Sequence, residues 1–110
     1  MRVLAVCVGV GVAALGVRAH AADQVIDLSE FETLASAEVL HAAAEYALTR
    51  RRYNIEENTA TIIVGEQDDL RVEIVVAPGH VLIRWKEGFG HKNDQWLRNL
   101  KTDVLWRLAE

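Results

Sequence analysis

Cysteine is nearly absent from these 110 residues: Cys7 is the only one, and it lies in an apolar N-terminal run. The rest of the chain therefore has no disulfide, no thiol nucleophile and no thiolate for a metal. Ser29 and Ser36 are the only serines, and both are better placed to cap helices than to occupy a strained elbow such as G-x-S-x-G. Beyond the N-terminal run the histidines are His41, His80 and His91, and no two have the H-x-x-x-H spacing of a metal site. Gly88-Phe89-Gly90 is not followed by a phosphate-binding spacing and is not set in a βαβ unit. No catalytic constellation, no metal site and no cofactor are expected, and stability must come from packing.

The N-terminus is the most specific feature that is present. Met1-Arg2 is a short positive start, Val3 to Val17 is apolar, and Ala19-His20-Ala21 puts small residues at the −3 and −1 positions of a cleavage site. This pattern predicts a secretory signal peptide over 1–21, cleaved near Ala21. The run is shorter than the ~20 apolar residues a spanning helix needs, so no stable membrane insertion is expected after cleavage. Lipid attachment at Cys7 is disfavoured, because only six residues precede it and Val6 stands where a small residue is needed.

Removal of Arg2 and Arg18 with the signal leaves ten cations against sixteen acids, a net charge of −6. That balance argues against nucleic acid as a partner. Residues 22–35 carry Asp23, Asp27, Glu30 and Glu32 with no basic residue and read as an acidic lead-in, partly ordered at best. Residues 36–110 then read as one small domain, with room for a single core.

Within that domain Ser36 caps a helix whose Leu40, Ala43, Ala44, Ala47 and Leu48 form one apolar stripe. Arg50-Arg51-Arg52 ends it, where cations favour the negative end of the helix dipole. Tyr53 to Glu57 reads as a short strand or extended segment. The β-branched Ala60 to Val64 reads as a strand stopping at a polar connector, Gly65 to Asp69. Leu70 to Ala77 and Val81 to Glu87 flank Pro78-Gly79. With paired numbers summing to 157, Val76 faces Val81, Ile74 faces Ile83 and Val72 faces Trp85, while Glu73 meets Arg84 and Val75 meets Leu82 on the other side. A four-residue loop is expected there, since Pro-Gly suits a type II turn rather than a primed one. Asn93 or Asp94 caps a closing helix lined by Leu97, Leu100, Val104 and Leu108, with Asp94–Arg98 and Asp103–Arg107 pairs on its solvated flank. The expected architecture is α+β, a two-layer sandwich with an antiparallel sheet of three to four strands and two helices on one face.

Candidate sites are few. Glu56-Glu57 and Asp68-Asp69 are adjacent acids better explained by solvation than by acid–base chemistry. Trp85 and Trp96 read as core residues. Trp106 lies at the edge of the helical stripe, where it either covers the rim of the core or faces a partner. The outer sheet face is more suggestive: Thr61, Ile63, Val75 and Leu82 would lie there among Arg71, Glu73, Arg84 and Lys86. The candidate binding surface is thus Ile63, Val75, Leu82, Arg84 and Trp106, met by an envelope protein or by self-association.

Ala47-Leu48, Arg51-Arg52-Tyr53-Asn54-Ile55-Glu56-Glu57, Val81-Leu82-Ile83-Arg84-Trp85 and Trp96-Leu97-x-x-Leu100-x-x-x-Val104 are the residues of a likeness. In them the chain resembles small uncharacterised exported proteins of Gram-negative bacteria, periplasmic or lipid-anchored, with a helix, an antiparallel meander and a closing helix. This chain departs from them in lacking a plausible lipid-attachment cysteine and in following Trp85 with Lys86-Glu87-Gly88 rather than a longer polar loop. The resemblance implies an envelope location and a two-layer fold, and no activity. The functional expectation is a periplasmic, non-enzymatic binding or adaptor domain. The rivals are a small metal-dependent or hydrolytic enzyme built from His80, His91 and nearby acids, and an inhibitor of a secreted enzyme.

Overall fold

A computed structural model describes residues 23–29, 36–86 and 94–110. The predicted signal peptide over 1–21 and His91 lie outside the described residues. The fold is α+β, and its sheet has five antiparallel strands rather than three to four: β1 (Gln24–Asp27), β2 (Asn54–Asn58), β3 (Ile62–Gln67), β4 (Leu70–Ala77) and β5 (His80–Trp85), in the order β1-β5-β4-β3-β2. Helices α1 (Ala37–Arg50) and α2 (Gln95–Ala109) complete it. The additional strand is β1, which comes from the segment read as an acidic lead-in. Only four residues long, it aligns Val25 with Leu82 and Ile26 with Val81 at one edge of the sheet.

Alternation assigns each strand residue to a side. Ile26, Ile63, Val72, Ile74, Val76, Val81 and Ile83 form one cluster with Leu40, Ala43, Ala44, Ala47 and Leu48 of α1 and Leu97, Leu100 and Val104 of α2. The β4–β5 register is the expected one, Val76 against Val81, Ile74 against Ile83 and Val72 against Trp85. The connecting loop is shorter than expected. Ala77 pairs with His80, so Pro78-Gly79 is a two-residue turn, and Gly79 at φ +79° takes the position that type II geometry reserves for glycine.

The β3–β4 connector also differs. Glu66 and Gln67 belong to β3, and Gly65 lies inside it, buried opposite Val72. The turn itself is Asp68-Asp69, both residues at positive φ (54° and 66°) as a two-residue hairpin turn of primed type requires.

Ser36 accepts the Val39 N–H at 3.2 Å and caps α1 as its sequence predicts. At the other end the Tyr53 N–H donates to the Leu48 carbonyl (3.0 Å) and the Arg52 N–H to that of Thr49 (3.0 Å). With Arg52 at φ 68°, this is a Schellman ending. Asp94 begins α2, but its carboxylate accepts the Trp85 indole N–H (3.3 Å) instead of capping the helix.

The two helices run side by side and antiparallel. Arg51 meets Asp103, and the Arg107 guanidinium lies 4.8 Å over the Tyr46 ring. Asp103, expected on a solvated flank beside Arg107, is instead buried, accepting from Arg51 Nε at 2.6 Å and Nη2 at 3.2 Å. The hydrogen bond to Asp103 holds the Arg51 guanidinium in its charged form above its ordinary range, and burial opposes this. Asp94 and Arg98 likewise do not form the expected side-chain pair, since Arg98 Nη2 donates to Gln95 Oε1.

Tyr53 packs edge-on against Trp96, which in turn tilts against Trp85, with centroids 6.4 and 6.1 Å apart. Burial pushes the Tyr53 hydroxyl up to about 12, with the Arg51 charge opposing it. An unfolded tyrosine ionises near about pH 10. The folded phenol stays neutral above that point, so its contribution is complete below about pH 10 and is lost as pH climbs toward the folded value. Tyr53→Phe should therefore flatten the alkaline fall in stability, which in the natural chain amounts to on the order of 1–2 kcal/mol. Urea midpoints read by tryptophan fluorescence across that range check it; parallel curves for the two proteins would contradict it.

Candidate functional site

The strand residues of the opposite parity face away from the cluster, on the reverse side of the sheet. Register places Val25 opposite Leu82, Leu82 opposite Val75 and Val75 opposite Ile62. Four adjacent strands thus contribute one unbroken apolar rung, because directly paired residues in antiparallel strands project to the same side. Val64 lies in the next rung, opposite Glu73. Val64, Val75 and Leu82 are 2%, 5% and 0% exposed, yet all three lie outside the cluster, which holds the buried apolar residues of both helices.

Charge borders this rung on both flanks. Along one, Arg84 Nε donates to Glu73 Oε1 at 3.3 Å, the pair the sequence predicts. Farther out, Arg71 donates to both Glu56 carboxylate oxygens at 2.6 and 3.4 Å. Along the other flank Asp27 is paired with His80, and His80 with Ala77. The His80 side chain is buried with Nδ1 3.0 Å from the Pro78 carbonyl and Nε2 3.4 Å from Asp27 Oδ1.

Of the five candidate residues, the fold brings together Val75, Leu82 and Arg84. Ile63 belongs to the core and not to the outer face: it pairs with Ile74 and is 0% exposed. The physical reason is the two-residue Asp68-Asp69 turn, which sets every β3–β4 pair and directs Ile62 and Val64 to the reverse side instead. Trp106 projects from α2 at 69% exposure, while the helix's buried Leu97, Leu100 and Val104 belong to the core cluster. It stands in solvent and does not seal the core rim. Val25, Ile62 and the buried Val64 also take the side opposite the cluster, which the sequence pattern alone does not show; counting β3 back from a two-residue Asp-Asp turn assigns the last two.

No family model, curated protein or solved structure matches this chain. The chemistry must therefore be judged from the residues alone. Among the described residues no group of three or more His, Cys, Asp or Glu side chains is placed to hold a metal. Ser29, Asp27 and His80 do converge, but Ser29 Oγ donates to Asp27 Oδ1 (2.9 Å) while the His80 ring faces Asp27 and Pro78. A serine nucleophile needs its base beside the hydroxyl, and here the imidazole does not reach it. His41 Nε2 lies 2.9 Å from the Thr59 carbonyl at an open cleft of about 510 Å³, lined also by Ala37, Glu38, Asn58 and Ala60. Among the described residues, those lining the cleft bring no convergent set of polar groups to a reacting position. Among the described residues no helix is long and apolar enough to cross a membrane.

Proposed function

We propose that the chain is the precursor of an exported, non-enzymatic binding domain of the periplasm, a two-layer sandwich with both helices over the cluster side of the sheet. Its contact surface is the reverse side at Val25 and Ile62, which are half-buried, with the buried Val75 and Leu82 backing them. The observation that carries this reading is the apolar rung Val25–Leu82–Val75–Ile62, which lies outside the core cluster and is bordered by the Glu73–Arg84 and Asp27–His80 pairs. A sheet side meant only for water alternates to polar residues. An apolar strip with a charged border suits contact with another protein surface, either an envelope protein or a second copy of this chain.

The test begins with export of the full chain in a Gram-negative host and the intact mass of the product, which should start at Ala22. That product should bind a hydrophobic dye or self-associate in light scattering. Val25→Lys with Ile62→Lys, both half-buried, should abolish both while the circular dichroism spectrum is kept. A monomer that binds no dye, or a product retaining Met1, would remove the proposal.

A further inference from the structure

The reverse side of the sheet is too well buried for a surface left to water. Leu82 has no exposed area and Val75 and Val64 have almost none, while even the bordering Glu73 and Arg84 side chains are only 14% and 23% exposed. Long charged side chains on an open sheet side reach into solvent. Shelter on both sides of a sheet needs a layer on both sides. The buried apolar residues of both helices belong to the cluster, so the second layer comes from elsewhere in the chain. The shelter is also uneven. It is complete at Leu82 in β5, falls to half-burial at Val25 and Ile62 on either flank, and is gone at Glu57 and Asn58 of the outer strand β2.

Three stretches lie outside the described residues: 1–22, 30–35 and 87–93. The second joins Ser29 to the α1 cap at Ser36, and the third joins Lys86 to Asp94 at the start of α2, so each must end at a helix. Their large apolar residues are few, Phe31 and Leu34 in one and Phe89 in the other. The first stretch is tethered only at Asp23, directly before β1, and it carries the fifteen-residue apolar run 3–17. Reach is sufficient in any conformation. The four-strand rung is about 15 Å across, three strand spacings, whereas a run of that length covers about 22 Å as a helix and more when extended. Gly9, Gly11, Ala13 and Ala14 add little bulk, which suits close seating on a face already filled by Val and Leu.

We propose that in the uncleaved chain residues 3–17 lie across the reverse side of the sheet and cover Leu82 and Val75. The proposal rests on the two-layer reading above, with both helices on the cluster side. It gives the leader a second task, since it keeps the contact strip from water until cleavage near Ala21 uncovers it. The precursor carries its own occupant, and the binding surface is released with export.

Nuclear Overhauser contacts in the methyl-labelled full chain test this. The Leu82 and Val75 methyls should show contacts to methyls of residues 3–17, and a mixture of labelled and unlabelled chains should show them to be intramolecular. Val8→Asp with Val10→Asp should move the same two methyl signals while that of Ile74, in the core, stays in place; unmoved Leu82 and Val75 signals would overturn the cover. Contacts from Leu82 and Val75 to α1 or α2 would overturn the two-layer reading and the cover with it. Contacts only to residues 30–35 or 87–93, only to a second chain, or to nothing beyond the sheet would overturn the cover alone. Cutting the folded chain after Ala21 should raise its binding of a hydrophobic dye several-fold. Contacts to residues 3–17 without that rise would leave the cover standing and remove the contact-surface reading instead.

Discussion

Arg51→Met should destabilise the protein by about 3 kcal/mol, because it leaves the Asp103 carboxylate buried between the helices without its bidentate partner. Among the described residues the other cation paired with it is Arg50, whose Nε lies 3.9 Å from Asp103 and whose side chain is 58% exposed. A pair at that distance and exposure recovers little. The magnitude follows from desolvation more than from attraction, so removing both charges should be far milder than removing one. Arg51→Met combined with Asp103→Leu is expected to fall within about 1 kcal/mol of the natural protein, since buried ion pairs replaced by apolar residues of similar size are often neutral. Chemical denaturation of the two single variants and the double variant gives the coupling. Additive losses would show that the carboxylate is hydrated in solution and the clamp is ornamental.

Gly65→Ala should cost about 1–3 kcal/mol, the range for forcing an extra methyl into a packed interior. A Cβ at this position would stand 3.0 Å from Leu48 Cδ2, 3.1 Å from Tyr53 Cβ and 3.3 Å from Tyr53 Cδ2. The backbone has no objection, because Gly65 is an ordinary strand residue paired with Val72. The strain is therefore wholly in contacts with Leu48 in the last turn of α1 and with Tyr53, three residues beyond its end. Leu48 can rotate, whereas the Cβ of Tyr53 is fixed by the helix ending. A compensating Leu48→Ala in the same chain should recover less than Gly65→Ala loses, and a Gly65→Ala protein with an unchanged melting temperature would place α1 farther from β3 than the structure does.

The Gly65 case also shows where sequence reasoning reached its limit. The β4–β5 register was legible because two constraints agreed, an apolar set on one side and a Glu73–Arg84 pair on the other. In β3 the corresponding signal was masked by Glu66 and Gln67, which look like loop residues but complete the strand; Gln67 Nε2 donates to the Arg51 carbonyl at 2.9 Å. A connector of five residues instead of two leaves the side taken by Ile63 undetermined by the sequence pattern. β1 was hidden for a different reason. Four residues with an aspartate at the end have no periodicity to detect, and their pairing depends on β5, more than fifty residues later. Asp103 shows a third kind of limit. Its i,i+4 relation to Arg107 is a local fact, while its burial depends on how α1 and α2 are set side by side. Of the proposed surface, the Val75–Leu82 pair and Arg84 could be read directly, but the rung as a whole required the register of both outer strands.

Three of the five residues that α1 buries are alanines, Ala43, Ala44 and Ala47. Methyl groups make a smooth seam, with few knobs to interlock against the strands beneath and little resistance to sliding lengthwise. The helix is instead pegged by polar ties spaced along it: His41 to the Thr59 carbonyl, Glu45 to the Asn58 amide, and Arg51 to Asp103. Its axial setting is then a property of those pegs, and cutting them one by one would let the rod creep before the domain melts.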